Sequence, residues 1–150
     1  MREHLLFTPQ GRITQLLQLP GNRHDVNGLY GLLQTAFQGM LLGDCAYQPR
    51  ADMQERLEAA GIRMRADQKA NATVPRPEIL RRWLKKNRAP VERRIGTFNQ
   101  QFHAGGTRCR SRRHYLARRW MKALTHNASR HINLRTDRPL ESVAHFHAAA

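Results

Sequence analysis

Between Arg108 and Lys122 seven cations, Arg108, Arg110, Arg112, Arg113, Arg118, Arg119 and Lys122, follow one another with no acid among them, and Tyr115 and Trp120 are interleaved. Guanidinium groups match phosphate oxygens two at a time and aromatic rings stack on bases, so the run suits a nucleic-acid backbone. A merely solvated basic face is the alternative. Just upstream, Glu92, Gly96, Asn99 and His103 recur at i, i+4, i+7 and i+11, beside an apolar line of Val91, Ile95, Phe98 and Phe102 at the same spacing. Arg88 stands one turn before Glu92, so on a helix a carboxylate is lined up with neutral and basic groups. Gly96 in mid-helix costs about 1 kcal/mol relative to alanine, and close approach of a strand or of a DNA backbone would account for it. A second carboxylate, Asp44, follows the short apolar run Met40-Leu-Leu and Gly43. Taken alone, Asp44 is an ordinary turn residue after a strand, and Glu92 a charge that offsets a helix macrodipole.

Charge distribution sharpens the nucleic-acid reading. The chain carries a formal net charge of +15. From Arg76 to Arg138 eighteen Lys and Arg face only Glu78, Glu92 and Asp137, whereas residues 1–75 hold eight basic and seven acidic side chains. Such a density repels itself unless a polyanion lies nearby. Eight histidines and two cysteines raise the question of zinc, but no Cys-x-x-Cys or His-Glu-x-x-His spacing exists and Cys45 and Cys109 stand alone. No Gly-x-x-x-x-Gly-Lys-Ser/Thr loop supports ATP use. Two cysteines make no disulfide framework, no n-region with an apolar h-region opens the chain, and the longest apolar runs are far short of a membrane span, so a soluble, cytoplasmic protein with reduced thiols and no membrane contact is expected.

At 150 residues, 40% of them hydrophobic, the chain can build one core. His4-Leu-Leu-Phe-Thr8, the turn Pro9-Gln-Gly11 and Arg12 to Leu19 predict a hairpin. From Asp25, as N-cap, Val26, Leu29, Tyr30, Leu33 and Phe37 predict an amphipathic helix. Met40-Leu-Leu predicts a buried strand whose tip presents Asp44. Residues 51–60 predict a short helix closed by Gly61, and Ile62-Arg-Met64 a further strand. After a polar loop at 66–77, helices are expected at 78–86, 91–103 and 111–132, with Leu116, Trp120, Leu124 and Ala128 as core positions of the last.

In that setting Asn87-Arg-Ala-Pro-Val-Glu-Arg-Arg-Ile-Gly-Thr-Phe-Asn-Gln-Gln-Phe102, followed by Arg108, Arg110 and Met121-Lys-Ala-Leu-Thr-His-Asn127, resembles the C-terminal signature of bacterial insertion-sequence DDE transposases with an RNase H-like fold. That family has an Arg four residues before its catalytic Glu, matched by Arg88 and Glu92. Its Tyr three residues before the Arg and its Lys seven after the Glu fall on Lys85 and Asn99, so those two positions depart from the pattern. Leu42-Gly-Asp-Cys-Ala-Tyr47 is similar to the second-Asp motif, with Asp44 in that role. His4 to Ile13 and Pro20 to Asp25 resemble the segments between the family's first and second Asp, and the first Asp itself would belong to a strand before residue 1.

The resemblance implies Asp44 and Glu92 as catalytic and metal-binding carboxylates, Mg²⁺ or Mn²⁺ as cofactor, and transposon-end DNA as partner. Phosphodiester cleavage and strand transfer need an activated oxygen and a stabilised leaving oxygen, which two hard cations on carboxylate ligands supply. Arg88, Arg93 and Arg94 would lie near scissile phosphates, with Asn99, Arg108, Arg110, Arg112 and Arg113 as further DNA contacts. The implied fold is α/β: an incomplete RNase H-like mixed sheet over residues 1–135 with a helical, strongly basic C-terminal half, and an unassigned tail at 136–150. Without the first carboxylate the chain is expected to be catalytically defective by itself, a truncated or split part of a transposase that works as a homo-oligomer or with an upstream half. The alternative is a non-catalytic basic DNA- or RNA-binding protein, which would be indifferent to loss of Asp44 and Glu92.

Overall fold

The computed structural model describes residues 2–34, 37–68, 72–104 and 109–141. The expected hairpin forms: β1 (Arg2–Phe7) and β2 (Ile13–Leu19) make a two-stranded antiparallel sheet. Its connection is closed where Thr8 N–H donates to the Arg12 carbonyl and Gly11 N–H to that of Thr8, at 2.9 and 2.8 Å. A 3-10 turn at Asp25–Asn27 leads into α1 (Gly28–Leu32). Next come β3 (Gly39–Gly43), a 3-10 turn at Cys45–Tyr47, α2 (Ala51–Ala59) and β4 (Ile62–Ala66). Two long helices, α3 (Glu78–Gln101) and α4 (Arg112–Arg135), complete the described residues. The class is α/β, with two small sheets among the described residues, consistent with an incomplete RNase H-like fold.

Contacts divide the chain into two units, Met1–His4 with Leu17–Pro90, and Leu5–Leu16 with Val91–Ala150. In the first, β3 and β4 pair in parallel, in register from Gly39 opposite Ile62 to Gly43 opposite Ala66, with α2 as the crossover that a parallel pair needs. β4 shows why Ile62-Arg-Met-Arg-Ala66 becomes a strand: Ile62, Met64 and Ala66 are buried and the arginines between them exposed. Met53 and Leu57 of α2 are buried as well, and Gly61, at φ +76°, ends that helix in the left-handed region that an L side chain resists.

The second unit has its core around Phe98, which is fully buried, with Ile13, Leu16, Ala104 and Ala123, against which Leu5, Phe7 and Phe102 pack. Its α4 departs from the sequence reading. Leu116, Trp120, Leu124 and Ala128 were expected inside, but Trp120 is 42% and Leu124 59% exposed, and Ala128 is also exposed. The inward line is one residue out of step: Arg119, Ala123, His126, Arg130 and Asn133, spaced by three and four, are buried. Polar groups hold that place because each finds a partner. Arg119 donates to the Ala104 carbonyl and stacks its guanidinium 5.2 Å from the Phe98 ring centroid.

Two other expectations change. The helix from Asp25 is only a 3-10 turn plus α1, and Asp25 is not its cap: His24 holds that position, and the Asp25 carboxylate pairs with Arg2 at 2.9 Å. The helices at 78–86 and 91–103 are one, since α3 runs through Pro90 despite the backbone donor that proline lacks.

Candidate carboxylate site and nucleic-acid interface

Asp44 stands where the apolar strand predicts it, immediately past the C-terminal end of β3. In open α/β sheets this is where ligands collect. Its carboxylate accepts from the Ala46 N–H at 2.8 Å and so caps the turn Cys45–Tyr47, which fixes the side chain relative to the strand. Gly43 is closely packed beside it: a Cβ there would lie 2.5 Å from Met64 Cε, the end of a flexible side chain, and 3.1 Å from Tyr47 Cβ.

Behind that turn, the Tyr47 hydroxyl and His4 Nδ1 are 2.5 Å apart, with their rings edge to face. Burial, then the nearby Asp25 and Asp44 carboxylates, push the Tyr47 hydroxyl up to about 12, while burial pushes His4 down. Both groups are therefore neutral, and the contact between them holds the turn that carries Asp44.

A second carboxylate sits at the neighbouring strand tip. Asp67 follows β4, and its N–H donates to the Gly43 carbonyl at 3.0 Å, extending the ladder by one rung past the last strand pair. Its Oδ1 accepts from Gln68 N–H at 2.8 Å, and its Oδ2 from Arg88 Nη1 at 3.0 Å. Arg88, expected at a scissile phosphate, is thus tied to a carboxylate of its own unit. The sequence reading missed Asp67. The available signal was an acid directly after a period-2 strand, the same placement that singled out Asp44.

Glu92 and Arg93 are exposed on α3, in the second unit, one turn past Arg88 along the helix. A Cβ built on Gly96 meets nothing within 4 Å, so packing within the described residues does not demand a glycine there. Arg94 points elsewhere than the sequence suggested: its guanidinium donates to the carbonyls of Thr8 and Pro9, at 3.3 and 2.7 Å. Arg130 joins it by donating to the Gln10 carbonyl, and His126 Nε2 lies 3.0 Å from the Gly11 carbonyl oxygen. Two guanidiniums and an imidazole thus clasp the hairpin turn, and burial, with Arg94 beside it, pushes Arg130 down.

Of the other expected DNA contacts, Asn99, Arg110, Arg112 and Arg113 are exposed, as is Arg118, whereas Arg119 is enclosed. Arg108 lies outside the described residues. α4 begins at Ser111, whose hydroxyl accepts from His114 N–H, and the helix contains no acid to neutralise its cations.

Asp44 and Glu92 are hard oxygen donors of the kind Mg²⁺ or Mn²⁺ takes. In number they fall short: among the described residues no three His, Cys, Asp or Glu side chains gather to hold a metal. No helix among those residues is long and apolar enough to cross a membrane.

No curated protein and no solved structure matches the chain. A family model, the transposase DDE domain, matches residues 1–128, a span that includes Asp44, Asp67, Arg88 and Glu92. With most of its length matched, the chain belongs to the transposase DDE domain family.

Proposed function

We propose that the chain is a DNA-binding part of a transposase and contributes two carboxylates, Asp44 and Glu92, to a divalent-metal centre that cuts and joins DNA at insertion-sequence ends. The observation that carries this reading is the setting of Asp44, capped onto a tight turn at the C-terminal end of a parallel strand. The open surface at Gly96, one turn past Glu92, supports it by leaving room for a nucleic-acid backbone. The exposed Arg93, Arg110, Arg112, Arg113 and Arg118, with Asn99, provide phosphate and sugar contacts. Asp44 and Glu92 would hold Mg²⁺ or Mn²⁺, and the ion would stabilise charge on the attacking and leaving oxygens. Such a centre needs a further hard ligand beside Asp44 and Glu92. This activity belongs in the cytoplasm, at the nucleoid.

A second reading, a non-catalytic nucleic-acid binder, is favoured by the missing third donor among the described residues. Anisotropy of a labelled DNA duplex, with and without Mn²⁺, separates the two. The transposase reading expects Mn²⁺ to tighten binding in the wild type and to do nothing in Asp44→Asn or Glu92→Gln. The same response to Mn²⁺ in all three proteins would leave the plain binder.

A further inference from the structure

We infer that Asp67 is a positioning residue, whose carboxylate sets the Arg88 guanidinium for a DNA phosphate. This rests on the DNA-binding reading above. The geometry gives Asp67 one outward task. Its N–H continues the β3–β4 ladder at Gly43, so its backbone is fixed to the residue just before Asp44. The described neighbours of Asp67 are tied together as well: Gln68 donates to the Val74 carbonyl at 2.6 Å and accepts from Arg76 N–H at 2.9 Å, while Arg76 also donates to the Ala66 carbonyl. From that backbone position Asp67 Oδ1 takes the Gln68 N–H and Oδ2 takes Arg88 Nη1. With both oxygens engaged and a guanidinium beside it, Asp67 is a poor place for a dication.

Stability alone gives little reason for the pair. The Arg88 and Asp67 side chains are 22% and 39% exposed, so the pair is only partly buried and, discounted for screening by water, adds modestly to the fold. Orientation is a better reason. An arginine has a long side chain to immobilise when it meets a phosphate, and one already held by a carboxylate gives up less freedom on binding. Arg88 lies at the β4 tip and one helical turn before Glu92, so holding it there directs a cation to the strand ends where Asp44 stands.

The sign of one substitution separates positioning from simple electrostatics. Removing the Asp67 charge takes a repulsive group away from DNA, so Asp67→Asn should tighten binding if charge were all that mattered. Positioning requires the opposite. The experiment is a double-mutant cycle on the whole chain: Asp67→Asn, Arg88→Ala and both together, with affinity for a random-sequence duplex read across a KCl series and folding checked by circular dichroism. Asp67→Asn is expected to weaken binding about 2- to 10-fold, the cost of ordering one long side chain, and to have no such effect once Arg88 is alanine. Asp67→Glu, which keeps the charge, is expected to recover part of the loss, and it serves if Asp67→Asn fails to fold. Tighter binding by Asp67→Asn, equal effects in both backgrounds, or no rescue by Asp67→Glu would overturn the inference while leaving DNA binding intact. A wild type without affinity for DNA would overturn both, and an Arg88→Ala protein with unchanged affinity and salt slope would overturn the role given to Arg88 and this inference with it.

Discussion

Arg130 reaches so close to Gly11 that a Cβ on the glycine would lie 2.7 Å from Nη2 of that guanidinium and 2.8 Å from Arg94 Nε. Gly11 also adopts φ +82°. The turn is thus glycine for two reasons, a backbone conformation and two arginines that lean on it. Gly11→Ala is expected to destabilise the fold by about 1–3 kcal/mol, since strain in the left-handed region adds to a displaced buried arginine. Chemical denaturation reads the loss; an unchanged midpoint would show that the clasp yields freely.

Arg93 and Arg94, adjacent on α3, should separate cleanly into a surface role and a structural one. Arg94→Ala removes two hydrogen bonds to the hairpin turn and is expected to cost about 1–3 kcal/mol. Arg93→Ala, at an exposed position, is expected to stay within about 0.5 kcal/mol in stability while weakening DNA binding. Thermal melts and DNA titrations of the two variants check the contrast, and equal melts would remove the structural role assigned to Arg94.

Acid should weaken the second unit through His126. Burial, with Arg130 and Arg94 nearby, holds its pKa below the usual 6.5, although its bond to the Gly11 carbonyl pulls the other way. The unfolded chain therefore binds the proton more readily, so stability contributed by neutral His126 is present above about pH 6.5 and lost as the pH falls through the lowered folded pKa. Melting temperature is expected to drop between about pH 7 and pH 5, and His126→Gln should flatten that drop. His4, also shifted down, contributes in the same direction in the first unit.

How much of this could be read from the residues depends on the range of the interaction. The hairpin, α2 with its closing glycine, and β4 were legible because period-2 burial and glycine punctuation act locally. Asp44 was legible as the residue that ends an apolar run. The continuity of α3 was hidden because proline usually ends a helix, and here the turns on either side of Pro90 propagate regardless. The buried line of α4 was hidden for another reason: Arg119, His126 and Arg130 read as surface until the backbone carbonyls of Ala104, Gly11 and Gln10 arrive as partners. Asp67 and Arg88 are 21 residues apart, and nothing in either neighbourhood announces the other.

Salt dependence offers a measure of how α4 meets DNA. Arg112 and Arg113 are exposed at its first turn. Replacing both with alanine is expected to reduce the slope of log affinity against log salt by about 0.9 for each phosphate that they neutralise. An unchanged slope would place the phosphate-binding cations elsewhere on the chain.

The outward residues Trp120, Met121 and Leu124 of α4 give the protein an unusual colloidal character. At low ionic strength repulsion between the helix cations opposes contact of these apolar groups between molecules. Salt added to strip bound nucleic acid shortens the screening distance from about 10 Å at 0.1 M to about 3 Å at 1 M, and the same step lets the apolar surfaces find one another. Solubility in the absence of nucleic acid is therefore expected to fall as salt rises, which light scattering across a KCl series checks.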